Sequence, residues 1–395
     1  MFVFFARPCY KVVRFQQIRF QQKGGCMARL KNNSVIVGAK RTPVLRAKKK
    51  WHNVSAIDLG AAVIGNLLQG KAPEPDQVVM GTFANPREFL NPAKEVCATG
   101  MFGRLNAITV NKVCSSGLVS VIIGDAFIKS GAADCVIAGG MENLLALSDE
   151  EMYSLLCDPH TSEMTWHAGD WCATTCGISR KDQDDWAVAS YKRARAAYKR
   201  FVFGEEIVPF NGQGLDEEPF WKVNEKIIRG AELIEGCKTI TMLNASKNAG
   251  GAAAVIMTNQ KTCETQRLEP LAYIVSSASV AFGGDWKKFT TTPPFAISKA
   301  VYKAKLVLAD IDFFFINTAF GSVTIHASRE LGVPLEKINP NGDAVSIGHP
   351  IGASGAKLLV EAVWALINSN KRYAVISLCN APGEATAMII QNAKF

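Results

Sequence analysis

An α/β fold in two similar halves is predicted by three features of the 395-residue sequence. Val/Ile-rich runs of strand length alternate with helix-like runs. The second part of the chain echoes the first at an offset of about 235–240 residues, in the same order, which marks an internal duplication. Between the echoing parts, from Ser148 to Lys238, lies a segment of different character, richer in charge and tryptophan.

The echoes run in chain order. "SVIVGAK" from Ser34 pairs with "LAYIVSS" from Leu271, two apolar strands that open their halves. "AIDLGAAVIGNLL" from Ala56 pairs with "AISKAVYKAKLVL" from Ala296, both apolar at helical spacing. "QVVMGTFAN" from Gln77 pairs with "DFFFINTAF" from Asp312, buried strands that end in polar turns. The run from Cys114 to "VIAGG" (Val136–Gly140) pairs with the run from His349 to "VISLC" (Val375–Cys379). The boundaries that follow are a leader at 1–33, a first half at 34–147 plus 239–262, an inserted cap at 148–238 and a second half at 263–395. In the cap, "RKDQDDWAVASYKRARAAYKR" from Arg180 to Arg200 predicts a helix.

Composition narrows the function classes. Hydrophobic content of 48% with 20% charged residues describes a globular chain with a sizeable core. No unbroken apolar run approaches the roughly 18 residues that span a bilayer, so no membrane partner is predicted. The formal charge of +9 is concentrated at the start, where Arg7, Lys11, Arg14, Arg19, Lys23 and Arg29 precede the first acid, Asp58. Without that leader the balance is mild, so no nucleic-acid partner is inferred. A basic, acid-free, partly amphipathic leader predicts mitochondrial import; a start at Met27 would instead give a cytosolic chain. Eleven cysteines without regular spacing read as a reduced protein in which a given thiol must argue its own role.

Four residues make that argument. Cys114 in "VNKVCSSGLVS" stands where a strand passes into a helix, and unpaired N–H groups there favour negative charge. The expectation is a thiol that ionises more readily than a free one and acts as a nucleophile. His349 in "SIGHPIGASGA" occupies the corresponding turn of the second half. If the halves pack about a pseudo-twofold axis, its imidazole meets Cys114 as a base. Cys379 ends the buried run "YAVISLC", at the edge where α/β sheets hold ligands. Asn317 ends "FFFIN", with an amide able to polarise a carbonyl. His160, His167, Cys172 and Cys176 fit no common zinc spacing, and no phosphate-binding glycine loop or nicotinamide fingerprint is present.

Together, "NKVCSSG", "NTAF", "GHPIGASGA" and "SLCNAPGEATAMIIQ" resemble the thiolase family over residues 34–395, with the acetoacetyl-CoA-forming branch most similar. The resemblance implies two βαβαβαββ halves packed as an αβαβα layered sandwich with an inserted loop domain. It implies an acetyl-CoA C-acetyltransferase working by ping-pong covalent catalysis, with a coenzyme A thioester as substrate and no tightly bound cofactor. In that pattern Cys114 carries the acyl group and His349 activates it. Cys379 moves the α-proton, and Asn317 holds a water beside the thioester oxygen. Ser246 matches a pantetheine contact, Phe320 and His167 match residues lining the acyl pocket or tunnel, and the N–H of Ala381 matches one that binds the acyl oxygen. Tyr191, Ala245 and Val345 match positions that hold potassium in members that bind it. A homodimer or homotetramer is implied.

Departures from the family pattern are explicit. Ala381 and Pro382 stand in a glycine run, where a glycine-only backbone angle would strain alanine. Thr318 replaces the glutamate of "NEAF", and Asp343 replaces a glycine near the site. "TTTP" at Thr290–Pro293 replaces Gly-Thr-Gly-Pro, Lys247 stands where glycine is expected, and the insert is short. These features define the alternative: a degenerate, weakly active or inactive CoA-binding protein of the same fold.

Overall fold

The computed structural model describes residues 33–84 and 90–395; the leader expectation therefore lies almost wholly outside the described residues. The strands are β1 (Val35–Arg41), β2 (Gln77–Gly81), β3 (Asn106–Val110), β4 (Cys135–Asn143), β5 (Gly250–Thr258), β6 (Ala272–Ala281), β7 (Phe313–Ile316), β8 (Tyr373–Asn380) and β9 (Glu384–Asn392). The main helices are α1 (Ala56–Gln69), α2 (Pro92–Thr99), α3 (Ser116–Ser130), α4 (Asp149–Leu156), α5 (Thr165–Thr175), α6 (Arg180–Lys199), α7 (Pro293–Ala304), α8 (Gly321–Leu331) and α9 (Ser354–Asn368).

All nine strands join one mixed sheet in the order β3-β2-β4-β5-β1-β6-β9-β8-β7. The order is palindromic about the β1/β6 junction, because β1, β2, β4 and β5 occupy the places that β6, β7, β8 and β9 mirror. That symmetry is the duplication in three dimensions. The halves are joined there by only two paired residues of each strand, Val35–Tyr273 and Ile36–Ala272. The second half differs in one element. Where β3 stands in the first, only Ile338 bridges Phe314, and the chain then turns through Asn339, Gly342 and Gly348 at positive φ. The "NPNGDAVSIGHP" segment spends its backbone on turns rather than on a ladder.

Local chemistry sets the elements. Ser55 and Asp58 cap α1 reciprocally, as Ser179 and Asp182 cap α6. Strands β4 and β8 are buried along their whole length, so their apolar runs lack alternation. Helix α1 packs outside β4 and β5, and α7 outside β6 and β9, while α3 and α9 pack on each other between the two sets of strands. By length and composition Val113–Ser130 and Ile351–Asn368 are each apolar enough to cross a membrane, although neither is an unbroken apolar run. They are the central pair. Being wedged between two sheet layers explains their composition; 83% of the second window is buried.

Glycines let that pair close. A Cβ on Gly117 would lie 2.9 Å from both Gly352 O and Ala356 N, and one on Gly355 only 2.5 Å from Leu118 N. The two helix mouths therefore touch backbone to backbone. The insert is pinned to β1 by Arg41, whose buried guanidinium meets Glu206 Oε1 and Asp216 Oδ1, each at 2.7 Å.

Candidate active site

Each catalytic candidate sits where a strand gives way to a helix or turn. Cys114 lies in a 3₁₀ turn (Val113–Ser115) leading into α3. His349 precedes the equivalent turn, Ile351–Ala353, leading into α9. Asn317 follows β7, where its N–H donates to Ser377 O at 2.9 Å. Cys379 is fully buried near the end of β8. Because α3 and α9 meet at their mouths, the first two turns converge.

The structure brings the predicted residues together. His349 Nε2 lies 3.3 Å from Cys114 Sγ and 3.3 Å from Asn317 Nδ2. On the opposite edge of the ring, Nδ1 lies 2.5 Å from Ser354 Oγ. The Ser354 hydroxyl spends its one proton on Pro350 O at 2.9 Å, so it meets the ring as an acceptor. Nδ1 therefore carries the hydrogen and Nε2 presents a bare lone pair to the thiol. Burial, reinforced by the charge of Lys357, pushes the imidazole down to about 3, so it rests neutral. Cys379 is close enough to Cys114 to disfavour its thiolate. The two turns are tied by Ser115 Oγ, which donates to Asn380 Oδ1 at 2.7 Å.

The expectation of a readily ionised Cys114 is corrected. Burial raises this thiol well above its ordinary value, and Cys379 and Glu142 add to the rise; only its backbone hydrogen bond opposes. Loss of solvation outweighs the helix end. Burial likewise pushes Cys379 up to about 12. Both sulfurs therefore rest protonated.

The predicted binding residues fall into two groups. Phe320 and Cys379 share an apolar cluster with Ala168, Trp286 and Phe289, against which Ala381 packs. His167 is half-buried and packs on Gly236, while Ser246 is half-buried with its N–H on Ala319 O at 2.9 Å. Ala381 does not adopt a left-handed backbone; Gly383 takes that conformation at φ 69°, so the feared strain is absent. An open cleft of about 1010 Å³ on the insert, lined by Tyr198, Phe203, Phe220 and Trp221 among others, includes none of the catalytic residues.

The potassium expectation fails on geometry. Tyr191 Oη donates to Glu218 Oε1, and Ala245 O accepts from Lys247 Nζ at 2.5 Å. Val345 is fully buried, its N–H on Asp343 Oδ1 at 2.9 Å. The Tyr191 hydroxyl and the Ala245 carbonyl are already engaged, the latter by a resident ammonium, so the set does not fit the ion.

Two site features escaped the sequence. Glu142 Oε2 accepts the N–H groups of Phe83, Ala84 and Gly352 at 3.0, 3.3 and 3.0 Å, clamping the loop after β2 to the loop after His349. Burial pushes this carboxyl up to about 7. A lone carboxylate within "VIAGGMEN" was the available signal. Asp343, expected near the chemistry, instead accepts from Trp186 Nε1 (2.8 Å), Ser190 Oγ (2.6 Å) and Thr318 Oγ1 (2.6 Å). The carboxylate missing at 318 is supplied from the facing segment.

Known proteins share this architecture. Residues 34–261 match the thiolase N-terminal domain and residues 268–392 the thiolase C-terminal domain. The chain is 34% identical over 390 residues to the acetyl-CoA acetyltransferase of Yarrowia lipolytica, covering 91% of this chain and 96% of that protein. The crystal structure of the Bacillus anthracis acetyl-CoA acetyltransferase superposes with a TM-score of 0.87 at 26% identity, covering 92% of this chain and all of the other. Human mitochondrial 3-ketoacyl-CoA thiolase in complex with CoA superposes with a TM-score of 0.86 at 28% identity, over 92% and 99% of the two chains. A duplicated fold, two matched domains and relatives above 30% identity over nearly the whole chain make this chain a member of the thiolase family.

Proposed function

We propose that the protein is an acetyl-CoA C-acetyltransferase that cleaves or forms acetoacetyl-CoA through an acetyl-Cys114 intermediate. The observation that carries this reading is the 3.3 Å approach of Cys114 Sγ to a neutral His349 Nε2. In the cleavage direction, the Cys114 proton passes to Nε2 as the sulfur adds to the 3-keto carbon of acetoacetyl-CoA. The carbon–carbon bond breaks, and the acetyl-CoA carbanion takes the Cys379 proton. Free coenzyme A then gives its thiol proton to Cys379 and takes the acetyl group from Cys114. The departing Cys114 sulfur recovers its proton from His349. Asn317, beside Nε2, is placed to orient a polar group at the reacting carbonyl. The Cys114 proton returns from His349 and the Cys379 proton is replaced by that of the coenzyme A thiol, so no external acid or base is consumed.

The test is incubation with acetyl-CoA followed by peptide mass analysis, beside thiolysis of acetoacetyl-CoA. An acetyl adduct on Cys114, absent from His349→Ala, is expected. Folded protein that forms no adduct at any pH would refute the proposal and favour a CoA-binding protein without turnover.

The reading extends to a homodimer, supported by β3, an edge strand with Ile108 39% exposed. Light scattering that reports a monomer at micromolar concentration would remove that part. Mitochondrial residence is supported by the basic, acid-free leader, and failure of the full chain to enter isolated mitochondria would remove it.

A further inference from the structure

Lys247 is the departure that the chemistry above leaves unused. Its side chain is only 4% exposed, although lysine is almost never buried without partners. Its ammonium donates to Met242 O at 2.8 Å and Ala245 O at 2.5 Å, crossing back over its own turn. Burial brings the amine down to about 8; Glu218 and Asp343 hold it up against that, and Arg46 lowers it further. Glu218 also takes the Tyr191 hydroxyl and Arg46 Nε, the latter at 2.8 Å. The result is a buried nest of carbonyl oxygens with carboxylates behind it, filled by a cation of the chain itself.

The backbone of the same residue reaches the active site. Lys247 N–H donates to Ala344 O at 3.1 Å, and Lys247 O accepts the N–H of His349 at 2.8 Å. Its neighbours Ser246 and Ala245 bond Ala319 and bridge Phe320, beside Asn317. The 242–249 turn is thus the brace between the segment carrying His349 and the loop carrying Asn317, and the ammonium closes that brace.

We propose that Lys247 is a positioning residue whose ammonium stands in for a bound monovalent cation, so that turnover requires no added potassium. The kinetic part rests on the acetyltransferase reading; the structural part does not. Thiolysis of acetoacetyl-CoA by the unaltered protein should change less than about twofold between potassium chloride and tetramethylammonium chloride at equal ionic strength. Lys247→Gly, which opens the nest, should lose about tenfold in kcat in tetramethylammonium and regain most of it with potassium or methylammonium. Lys247→Met, which fills the nest without charge, should lose about as much and regain nothing. A parallel thermal melt reads the same event without turnover. Potassium at about 100 times its Kd should raise the Tm of Lys247→Gly and leave the unaltered protein and Lys247→Met unmoved. Severalfold stimulation of the unaltered protein by potassium, full kcat in Lys247→Met, or a potassium-indifferent melt of Lys247→Gly would each overturn the proposal. Absence of turnover in every salt would count against the acetyltransferase reading instead, and the melt would still decide the role of Lys247.

Discussion

The resting protonation of the Cys114–His349 pair decides how the enzyme begins, and alkylation reads it directly. Two arrangements share the same distances: a neutral thiol beside a neutral imidazole, or a thiolate beside an imidazolium. The structure favours the first, since burial depresses the imidazole to about 3 and raises the thiol above 9.0. A thiol at 9.0 would be roughly 1% ionised at pH 7, and a raised one less. The rate of Cys114 carbamidomethylation by iodoacetamide, read by peptide mass, should therefore climb about tenfold per pH unit from about pH 6 to 9. His349→Ala should leave that slope in place. An ion pair would instead give a plateau beginning near pH 4–5. A plateau with its midpoint at or below about pH 6, lost in His349→Ala, would refute the neutral pair and the burial argument behind it.

Two further outcomes are expected. Asp343→Gly orphans the buried Trp186 N–H and removes one partner each from Ser190 and Thr318, which keep Ser346 and Thr324, and should cost about 2–3 kcal/mol in denaturant unfolding; adding Thr318→Glu should recover part of it, and no recovery would deny that the carboxylate has changed places. Glu142, at about 7 when folded against 4.5 for the free group, binds its proton more tightly in the native state. Its contribution is complete below about pH 4.5 and lost as pH rises through 7, about 3 kcal/mol in all. The unaltered protein should therefore lose that much more stability than Glu142→Gln between about pH 4.5 and pH 8, and equal losses would contradict the raised value.

What could be read from the sequence was whatever repeats or stays local. The doubled strands imply two similar halves, and the doubled turns imply that Cys114 faces His349. Capping pairs such as Ser179 and Asp182 are three residues apart and visible in the letters. The rest depends on partners far along the chain. Glu142 meets Phe83 across 59 residues and Gly352 across 210. The ionisation of Cys114 is not legible in its own window, because the helix end is a local signal whereas the burial that overrides it comes from distant chain. Ser354, which fixes the imidazole proton, reads in the sequence as one more small residue in "GASGA".

Taken one residue at a time, the departures from the family pattern read as damage; each has a physical counterpart elsewhere in the chain. Thr318 lacks a carboxylate, and Asp343 delivers one to its hydroxyl at 2.6 Å, with both residues fully buried. Either substitution alone would leave a buried partner one hydrogen bond short. Without Thr318 the Asp343 carboxylate would lose one of its buried donors, and without Asp343 the Trp186 N–H would lose its acceptor. Lys247 replaces a glycine by a long flexible cation, and its ammonium lands on two carbonyl oxygens rather than in a clash. Ala381 gives up glycine's freedom where the backbone no longer needs it, because Gly383 makes the turn. The hydroxyls of "TTTP" close on local carbonyls, Thr290 on Lys287 O and Thr292 on Lys288 O. A chain losing its function would shed such partners independently, since nothing would select the second change once the first had occurred. The paired replacement of Thr318 and Asp343 beside an intact Cys114–His349–Asn317 contact fits continued demand on the site's geometry, which weighs for turnover and against a vestigial binding role.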